Sequence, residues 1–335
     1  MKQPNQTLLE VSAPFGPKGA DRRRQPKPAW LKAAIPSGDD YFKIKKNLEK
    51  RKLFTICQNA RCPNISECWN NHHATFLIMG DTCSRNCTFC SVKAGVPGPL
   101  LAEEAERVLE MVQILDAAYV VITSVTRDDL EDGGSGHFAQ VISYLKEHRP
   151  GVKVEALIPD FKGNVRHLDT VLAARPDVLN HNLETVERLY PHVNRPIGNY
   201  RVSLGVLLKA HHRKETTAGT EGTESTERSS NSSAAGEAAV KPLVTKSGIM
   251  VGLGETLDEL KELFRDLRES GVDLLTIGQY LQPTTANVPV EKFYTPEEFA
   301  ELKEIALAAG FRAVESGPFV RSSYQAQSMY DSCQT

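Results

Sequence analysis

Six of the seven cysteines in this 335-residue chain lie between positions 57 and 90. They form two triplets of different spacing. Cys57, Cys62 and Cys68 read C-x4-C-x5-C, and Cys83, Cys87 and Cys90 read C-x3-C-x2-C. Three thiolates fill three corners of a four-iron cluster and leave one iron to bind something else. Two triplets therefore suggest two such clusters, each with a corner where chemistry can occur. Two plainer uses compete. Disulfide frameworks belong to short, cysteine-dense secreted domains, whereas the only further cysteine here is Cys333. Structural zinc favours paired C-x2-4-C knuckles with four ligands per ion. Only Cys87 and Cys90 make a C-x2-C pair, and each triplet leaves a zinc one ligand short, although His72 and His73 lie nearby.

The rest of the chain bears on that choice. Residues 1–30 lack the apolar run of a secretory signal and contain Glu10, Asp21 and five prolines, which also argues against an amphipathic transit peptide. No stretch offers the roughly 18 uninterrupted apolar residues of a membrane span. A reducing cytoplasm is the expected compartment, where clustered cysteines bind metal more often than they form disulfides. The composition is that of a globular protein, 40% hydrophobic and 24% charged with a net charge of -2. Nothing in it points to nucleic acid or a membrane surface. Arg22 to Arg24 read as a solvated, proline-flanked arm.

Short β-branched runs alternate with helical patterns from residue 75 onward. Strands are expected at 75–79, 119–123, 152–158, 178–180, 244–251, 273–279 and 311–315. Helices are expected at 102–115, 137–148, 165–174, 200–211, 257–270 and 295–309, the last opened by Thr-Pro-Glu-Glu, a good N-cap with proline in the first turn. Six strand–helix units imply parallel strands joined by right-handed crossovers. A full eight-unit barrel needs more chain. The expected fold is therefore α/β, a partial, TIM-like (β/α)6 barrel. Active sites of such barrels lie at the C-terminal ends of the strands. The Cys83 loop follows the first strand, 123–129 the second, 180–184 the fourth, 279–284 the sixth, and Ser322 and Ser323 the last. Residues 246–255 cover the fifth strand and its exit. All of these are expected on one face, except that Lys246 enters at a strand start. Residues 213–240, rich in Ser, Thr, Gly, Ala and Glu, cannot bury enough surface to offset their ordering entropy and read as a flexible insertion.

GDTCSRNCTFCSV at 80–92 resembles the cluster motif of the radical S-adenosylmethionine (SAM) superfamily, with Phe89 as the aromatic residue before the last cysteine. CQNARCPNISECW at 57–69 resembles the extra cluster motif of one member family, lipoyl synthase. TSVTRDDLEDGG at 123–134, LNHNLETV at 179–186, TKSGIMVGLGET at 245–256, IGQYLQPT at 277–284 and GPFVRSSY at 317–324 are similar to that family too. The resemblance covers about residues 40 to 325. Four features depart from it. Ser84 stands where threonine is commoner. His72 and His73 replace a glycine-containing turn. Thr285, Ala286 and Asn287 replace basic residues and a histidine. The 213–240 insertion is the fourth.

The resemblance implies roles. Cys83, Cys87 and Cys90 would hold a [4Fe-4S] cluster whose free iron chelates the amine and carboxylate of SAM. One electron then yields methionine and a 5'-deoxyadenosyl radical. Thr123, Ser124, Arg127, Asn180 and Glu184 are the candidate SAM contacts, Arg127 being able to grip a carboxylate with two prongs. Cys57, Cys62 and Cys68 would hold an auxiliary [4Fe-4S] cluster with Ser323 as fourth ligand. An oxygen ligand binds iron less well than a thiolate, which suits a cluster consumed as sulfur source. The implied reaction inserts two sulfur atoms into the octanoyl chain carried on a lysine, with two SAM molecules used per lipoyl group. Implied partners are octanoylated lipoyl-carrier domains (2-oxoacid dehydrogenase E2 subunits and the glycine cleavage H protein), a ferredoxin or flavodoxin as electron donor, and an iron-sulfur carrier for cluster repair. The chain is expected to act as a monomer. No protein acid, base or nucleophile is required, so Asp128, Asp129, His137 and His181 read as structural or SAM-orienting. Cys333 has no role. The resulting organisation is a loosely ordered arm at 1–35, an auxiliary-cluster segment at 36–74, the barrel at 75–316 and a C-terminal segment at 317–335.

Overall fold

The computed structural model describes residues 26–32, 35–196, 198–220 and 242–334. The chain opens with an extension of α1 (Asp39–Arg51), β1 (Phe54–Thr55), α2 (Ile56–Asn59) and α3 (Ile65–Asn70). The barrel begins at β2 (Thr75–Ile78), whose exit loop holds the short pair β3 (Thr82–Cys83) and β4 (Lys93–Ala94). Alternation follows: α4 (Glu104–Ile114), β5 (Tyr119–Ser124), α5 (Ser135–His148), β6 (Lys153–Leu157), α6 (Val165–Ala173), β7 (Val178–Asn180) and α7 (Asn199–Thr220). The chain closes with β8 (Val244–Val251), α8 (Leu257–Glu269), β9 (Leu274–Gln279), α9 (Pro296–Ala308), β10 (Ala313–Gly317) and α10 (Ala326–Ser332).

The main sheet runs β1-β2-β5-β6-β7-β8-β9-β10. Every pairing is parallel except β1 with β2. Among the described residues β2 and β10 do not pair, so the barrel is open, as expected. The C-terminal strap of residues 318–324 bridges the gap. The Asn64 Nδ2 group donates to the Phe319 carbonyl at 2.7 Å, and the Thr75 hydroxyl donates to Ser323 Oγ at 2.8 Å.

Local chemistry explains the helices. Both α8 and α9 start with complete capping boxes, Thr256 with Glu259 and Thr295 with Glu298, which satisfy otherwise orphaned N–H groups. Leu260, Leu263, Phe264 and Leu267 of α8 are buried at helical spacing. Each such side chain contributes about 1.5–3 kcal/mol of burial free energy. Helix α7 continues to Thr220, past the expected end at 211 and into the expected insertion. Arg213 grips Asp169 of α6 with Nε at 2.9 Å and Nη2 at 2.8 Å, and holds the added turn. The remainder of that insertion, 221–240, lies outside the described residues, as does most of the expected 1–35 arm. The described part of that arm is mostly exposed but anchored at two residues: Leu31 is 1% exposed, and the Trp30 indole donates to the Tyr294 carbonyl at 3.2 Å.

Candidate active site

Cys83, Cys87 and Cys90 sit where β2 exits. Met79 and Gly80 take positive φ of 67° and 96°, turning the chain into the cysteine loop. The loop is tied from three sides. Ser84 donates its N–H and hydroxyl to the Thr126 carbonyl at 3.0 and 2.9 Å and accepts from Asp128 N at 3.0 Å. Asn194 Nδ2 donates to the Asn86 carbonyl at 2.6 Å. Asn287 Nδ2 donates to the carbonyls of Thr88 and Cys90 at 2.9 and 3.0 Å. Two of the departures from the family pattern, Ser84 and Asn287, are therefore clamps on this loop. Between the cysteines, Arg85 forms forked bonds to Asp128 and to Asp160, all between 2.6 and 3.0 Å. The Cys83 sulfur accepts from the backbone N–H groups of Thr126 and Arg85 at 3.3 and 3.4 Å, and Cys90 from that of Val92 at 3.4 Å.

The Cys57, Cys62 and Cys68 triplet is shaped by tight helical turns. Thr55 caps α2, with Gln58 N donating to its Oγ1 at 3.3 Å, and Cys62 N donates to the Cys57 carbonyl at 2.9 Å. Positive φ at Arg61 reverses the chain toward α3, which carries Cys68. Cys57, Cys62, Cys68, Arg321 and Ser323 line one cavity with Thr75 and Tyr119. Thr75 and Tyr119 are the first residues of β2 and β5. One residue of the expected single face departs from it: Cys83, Cys87 and Cys90 stand beyond the C-terminal end of the sheet, whereas Ser323 meets Thr75, the first residue of β2, beside Cys57, Cys62 and Cys68. The strap carries Ser323 there: Val320 packs on Gly278 of β9 and Ser322 on Gly248 of β8, and Ser323 reaches Thr75 of β2.

Both triplets fit a metal group by their donor chemistry. Burial pushes the Cys57 thiol up to about 11 and the Cys68 thiol up to about 12, with repulsion from the neighbouring thiols adding to it. Burial likewise raises Cys62, with Arg321 opposing. Cys87 is pushed up to about 11 and Cys90 up to about 12, again by burial first. Three crowded, buried thiols become thiolates together only when a cationic centre compensates them. The fully buried Trp69 indole N–H, without another partner, bears on Cys57 and favours its thiolate. All seven cysteines are free. Among the described residues no three His, Cys, Asp or Glu side chains are preassembled around a single ion, so the fit rests on the donor sets.

The expected SAM contacts divide. The Thr123 hydroxyl is spent on the Leu157 carbonyl at 3.0 Å. Arg127 does grip a carboxylate with two prongs, but it is the chain's own Asp129, through Nε at 3.0 Å and Nη2 at 2.8 Å. Asn180 faces the barrel interior and donates to Glu155 at 2.8 Å. Ser124 Oγ is buried without a partner. Glu184 holds a positive φ of 72°. Burial raises its carboxyl above the usual range against the pull of Arg195, and its charge bears on Cys87 and Cys90. Expectation had overlooked Arg195. It is 9% exposed, lies 5.4 Å over the Tyr190 ring, and approaches Asp160 only at 3.6 Å. Its Nε and Nη1 groups are buried and unpartnered. Only folding brings it beside Cys87, so no local sequence pattern pointed to it.

Between the two ends, the barrel interior holds a buried ion pair. Lys246 and Glu155 are both 0% exposed, with Nζ at 3.0 and 3.1 Å from the carboxylate oxygens. Tyr119 donates to the same carboxylate at 2.7 Å. Removing one partner of such a pair costs about 3–5 kcal/mol.

Comparisons with known proteins follow the same division. A model of the Radical SAM superfamily matches residues 77–267. A model of the N-terminal domain of lipoyl synthase of the Radical SAM family matches residues 15–62. The lipoyl synthase of Rubrobacter xylanophilus is 48% identical over 306 residues, covering 91% of this chain and 87% of that one. The lipoyl synthase of Koribacter versatilis is 46% identical, covering 93% of both chains. That of Thermus thermophilus is 45% identical over 94% of this chain and 88% of its own.

Proposed function

Since the chain belongs to the lipoyl synthase family of the radical SAM superfamily, we propose that it inserts two sulfur atoms into the octanoyl chain borne on a lysine of a lipoyl-carrier domain. Its cofactors are SAM and two [4Fe-4S] clusters. When bound, the cluster on Cys83, Cys87 and Cys90 supplies the electron that cleaves SAM, and the cluster on Cys57, Cys62, Cys68 and Ser323 supplies the sulfur.

The chain's own residues bind, orient and exclude water. Arg195, with two unsatisfied N–H groups, holds the SAM carboxylate as a charge-assisted pair. Glu184 and Ser124 are the remaining SAM contacts, and Arg127, Thr123 and Asn180 act by holding the strand ends. Thr75 donates to the Ser323 oxygen at 2.8 Å, and a hydrogen bond donated to an oxyanion favours that form. Met329 and Tyr330 of α10 pack with Tyr119, Val178, Val244 and Leu274, closing the N-terminal mouth of the barrel to water. The Lys246–Glu155 pair fixes the interior between the two ends.

The observation that carries this reading is the pair of thiol triplets, with Ser323 beside only one of them. The carrier domains are those of 2-oxoacid dehydrogenase E2 subunits and the glycine cleavage H protein. A ferredoxin or flavodoxin supplies electrons, and an iron-sulfur carrier restores the spent cluster. The chain works as a monomer in the cytoplasm. No helix among the described residues is long and apolar enough to cross a membrane. Anaerobic turnover of an octanoyl-lysine peptide with SAM, read by mass spectrometry, tests the proposal. A product with two added sulfurs, together with 5'-deoxyadenosine, is expected. SAM cleavage without any sulfur-bearing peptide would refute it.

A further inference from the structure

Trp69 is the largest fully buried side chain among the described residues. It follows Cys68 on α3 and packs in the same apolar cluster as Cys57. Tyr41 of α1 stacks on it, with ring centroids 5.2 Å apart and 29° between the planes. The two helices are tied beside the stack: Tyr41 N donates to Asn70 Oδ1 at 3.2 Å, and Asn70 Nδ2 donates to the Ser37 carbonyl at 2.9 Å. The indole plane is therefore held on both sides. A buried tryptophan N–H ordinarily finds a hydrogen-bond acceptor. The Trp69 Nε1–H has no such oxygen or nitrogen, and the group it bears on is the Cys57 sulfur. The three thiols are not served equally. Cys62 receives the backbone N–H of Asn64, and Cys68 its own. Cys57 receives that of Thr75 and faces the indole N–H as well.

We infer that Trp69 is a positioning residue for sulfur insertion: in the loaded protein its Nε1–H donates to the Cys57 sulfur and raises the reduction potential of the auxiliary cluster. The inference deepens the proposed function and rests on its assignment of that cluster. Sulfur insertion makes a redox demand on this site. The carbon radical brings one electron to the new carbon–sulfur bond, and the sulfide brings one of a lone pair. The other electron of that pair passes to auxiliary iron. Each insertion therefore reduces the iron by one electron and moves no proton. A hydrogen bond donated to a ligand sulfur draws charge from it and favours the reduced, more negative state. A donor fixed by a stacked, buried ring gives that stabilisation without having to reorganise. A tryptophan that only filled space would affect stability and leave the potential where it is.

The test compares the fully loaded wild type with Trp69→Phe, which keeps a ring against Tyr41 and removes the donor. A redox titration followed by electron paramagnetic resonance reads the auxiliary potential, with added SAM marking the signal of the other cluster. Trp69→Phe should lower the ratio of reduced to oxidised auxiliary cluster at fixed potential about tenfold, a downward shift of about 59 mV for a one-electron couple. Both proteins should hold about eight irons per chain. Sulfur-bearing product per 5'-deoxyadenosine should fall in the variant. A second measurement needs no substitution. In wild type grown with tryptophan carrying heavy nitrogen in the indole, the reduced auxiliary cluster should show a hyperfine coupling to that nitrogen. The one other tryptophan, Trp30, has its indole N–H on the Tyr294 carbonyl. An unshifted potential in folded, iron-replete Trp69→Phe, or no nitrogen coupling in wild type, would overturn the donor role. Wild type that binds only about four irons per chain would overturn it together with the auxiliary-cluster assignment on which it rests.

Discussion

Gly278 of β9 offers the sharpest single perturbation. A methyl group placed there would collide with the Val320 carbonyl oxygen and lie 3.1 Å from its carbon and 3.3 Å from Arg321 Nη1. The obstacle is backbone, so no side-chain rotation relieves it. Gly248 on the neighbouring strand is crowded as well, its would-be Cβ lying 3.3 Å from Ser322 and 2.7 Å from the Thr276 hydroxyl. The two glycines are the seat of the strap that delivers Ser323. Overpacking of this kind costs about 1–3 kcal/mol. Applied to seated against displaced strap, that is a shift of about 5- to 150-fold. Gly278→Ala should therefore lose auxiliary iron on anaerobic gel filtration, falling from about eight irons per chain toward four. Lipoyl product should fall while 5'-deoxyadenosine formation persists. Gly98→Ala, with open space around its would-be Cβ, is the matched control and should behave like wild type. A Gly278→Ala protein that keeps all its iron and full product yield would refute the seating argument.

Three further outcomes are expected. Cys87→Ala should abolish SAM cleavage, whereas Cys62→Ala should spare cleavage and abolish sulfur insertion, both read by chromatography of 5'-deoxyadenosine and mass spectrometry of the peptide. Arg195→Gln should weaken SAM binding by about 30-fold or more in equilibrium dialysis, as loss of a desolvated charge contact costs 2 kcal/mol or above, with iron content unchanged. His181 concerns stability. Burial lowers it to about 4 while Ile158 accepts its Nδ1 proton at 2.9 Å. The unfolded chain then binds a proton that the folded chain refuses between about pH 6.5 and 4. Stability contributed by neutral His181 is complete above that window and lost as pH falls through it. The denaturant midpoint should drop from pH 7.5 to 5.5, and His181→Gln should flatten that drop.

The barrel was legible because its signals are local. Runs such as 119–123 and the Thr-Pro-Glu-Glu cap at 295–298 announce their elements within a few residues, and that cap formed. The cysteine spacings likewise announced two separate metal groups. What escaped is what only three-dimensional return of the chain creates. Ser323 follows the last strand in sequence but meets Thr75, at the start of β2, across the open side of the barrel. Arg127 has a partner two residues away, Asp129, which no reading of types and spacing weighed. Arg195 comes beside Cys87 because the segment 192–195 docks on the cysteine loop, through contacts such as Thr88 N to the Val193 carbonyl at 3.2 Å. The early end expected for α7 overlooked a long-range tie, Arg213 to Asp169.

The central claim is that the two triplets have different jobs, one starting the reaction and the other giving up its sulfur. Isotope labelling tests it most directly. The protein is loaded with clusters containing heavy sulfide, given excess unlabelled SAM and octanoyl-lysine peptide, and stopped after one turnover. Both sulfurs of the lipoyl product should carry the label in the wild type, and Cys62→Ala should yield 5'-deoxyadenosine with no labelled product. Unlabelled sulfur in the wild-type product, or labelled product from Cys62→Ala, would contradict the account.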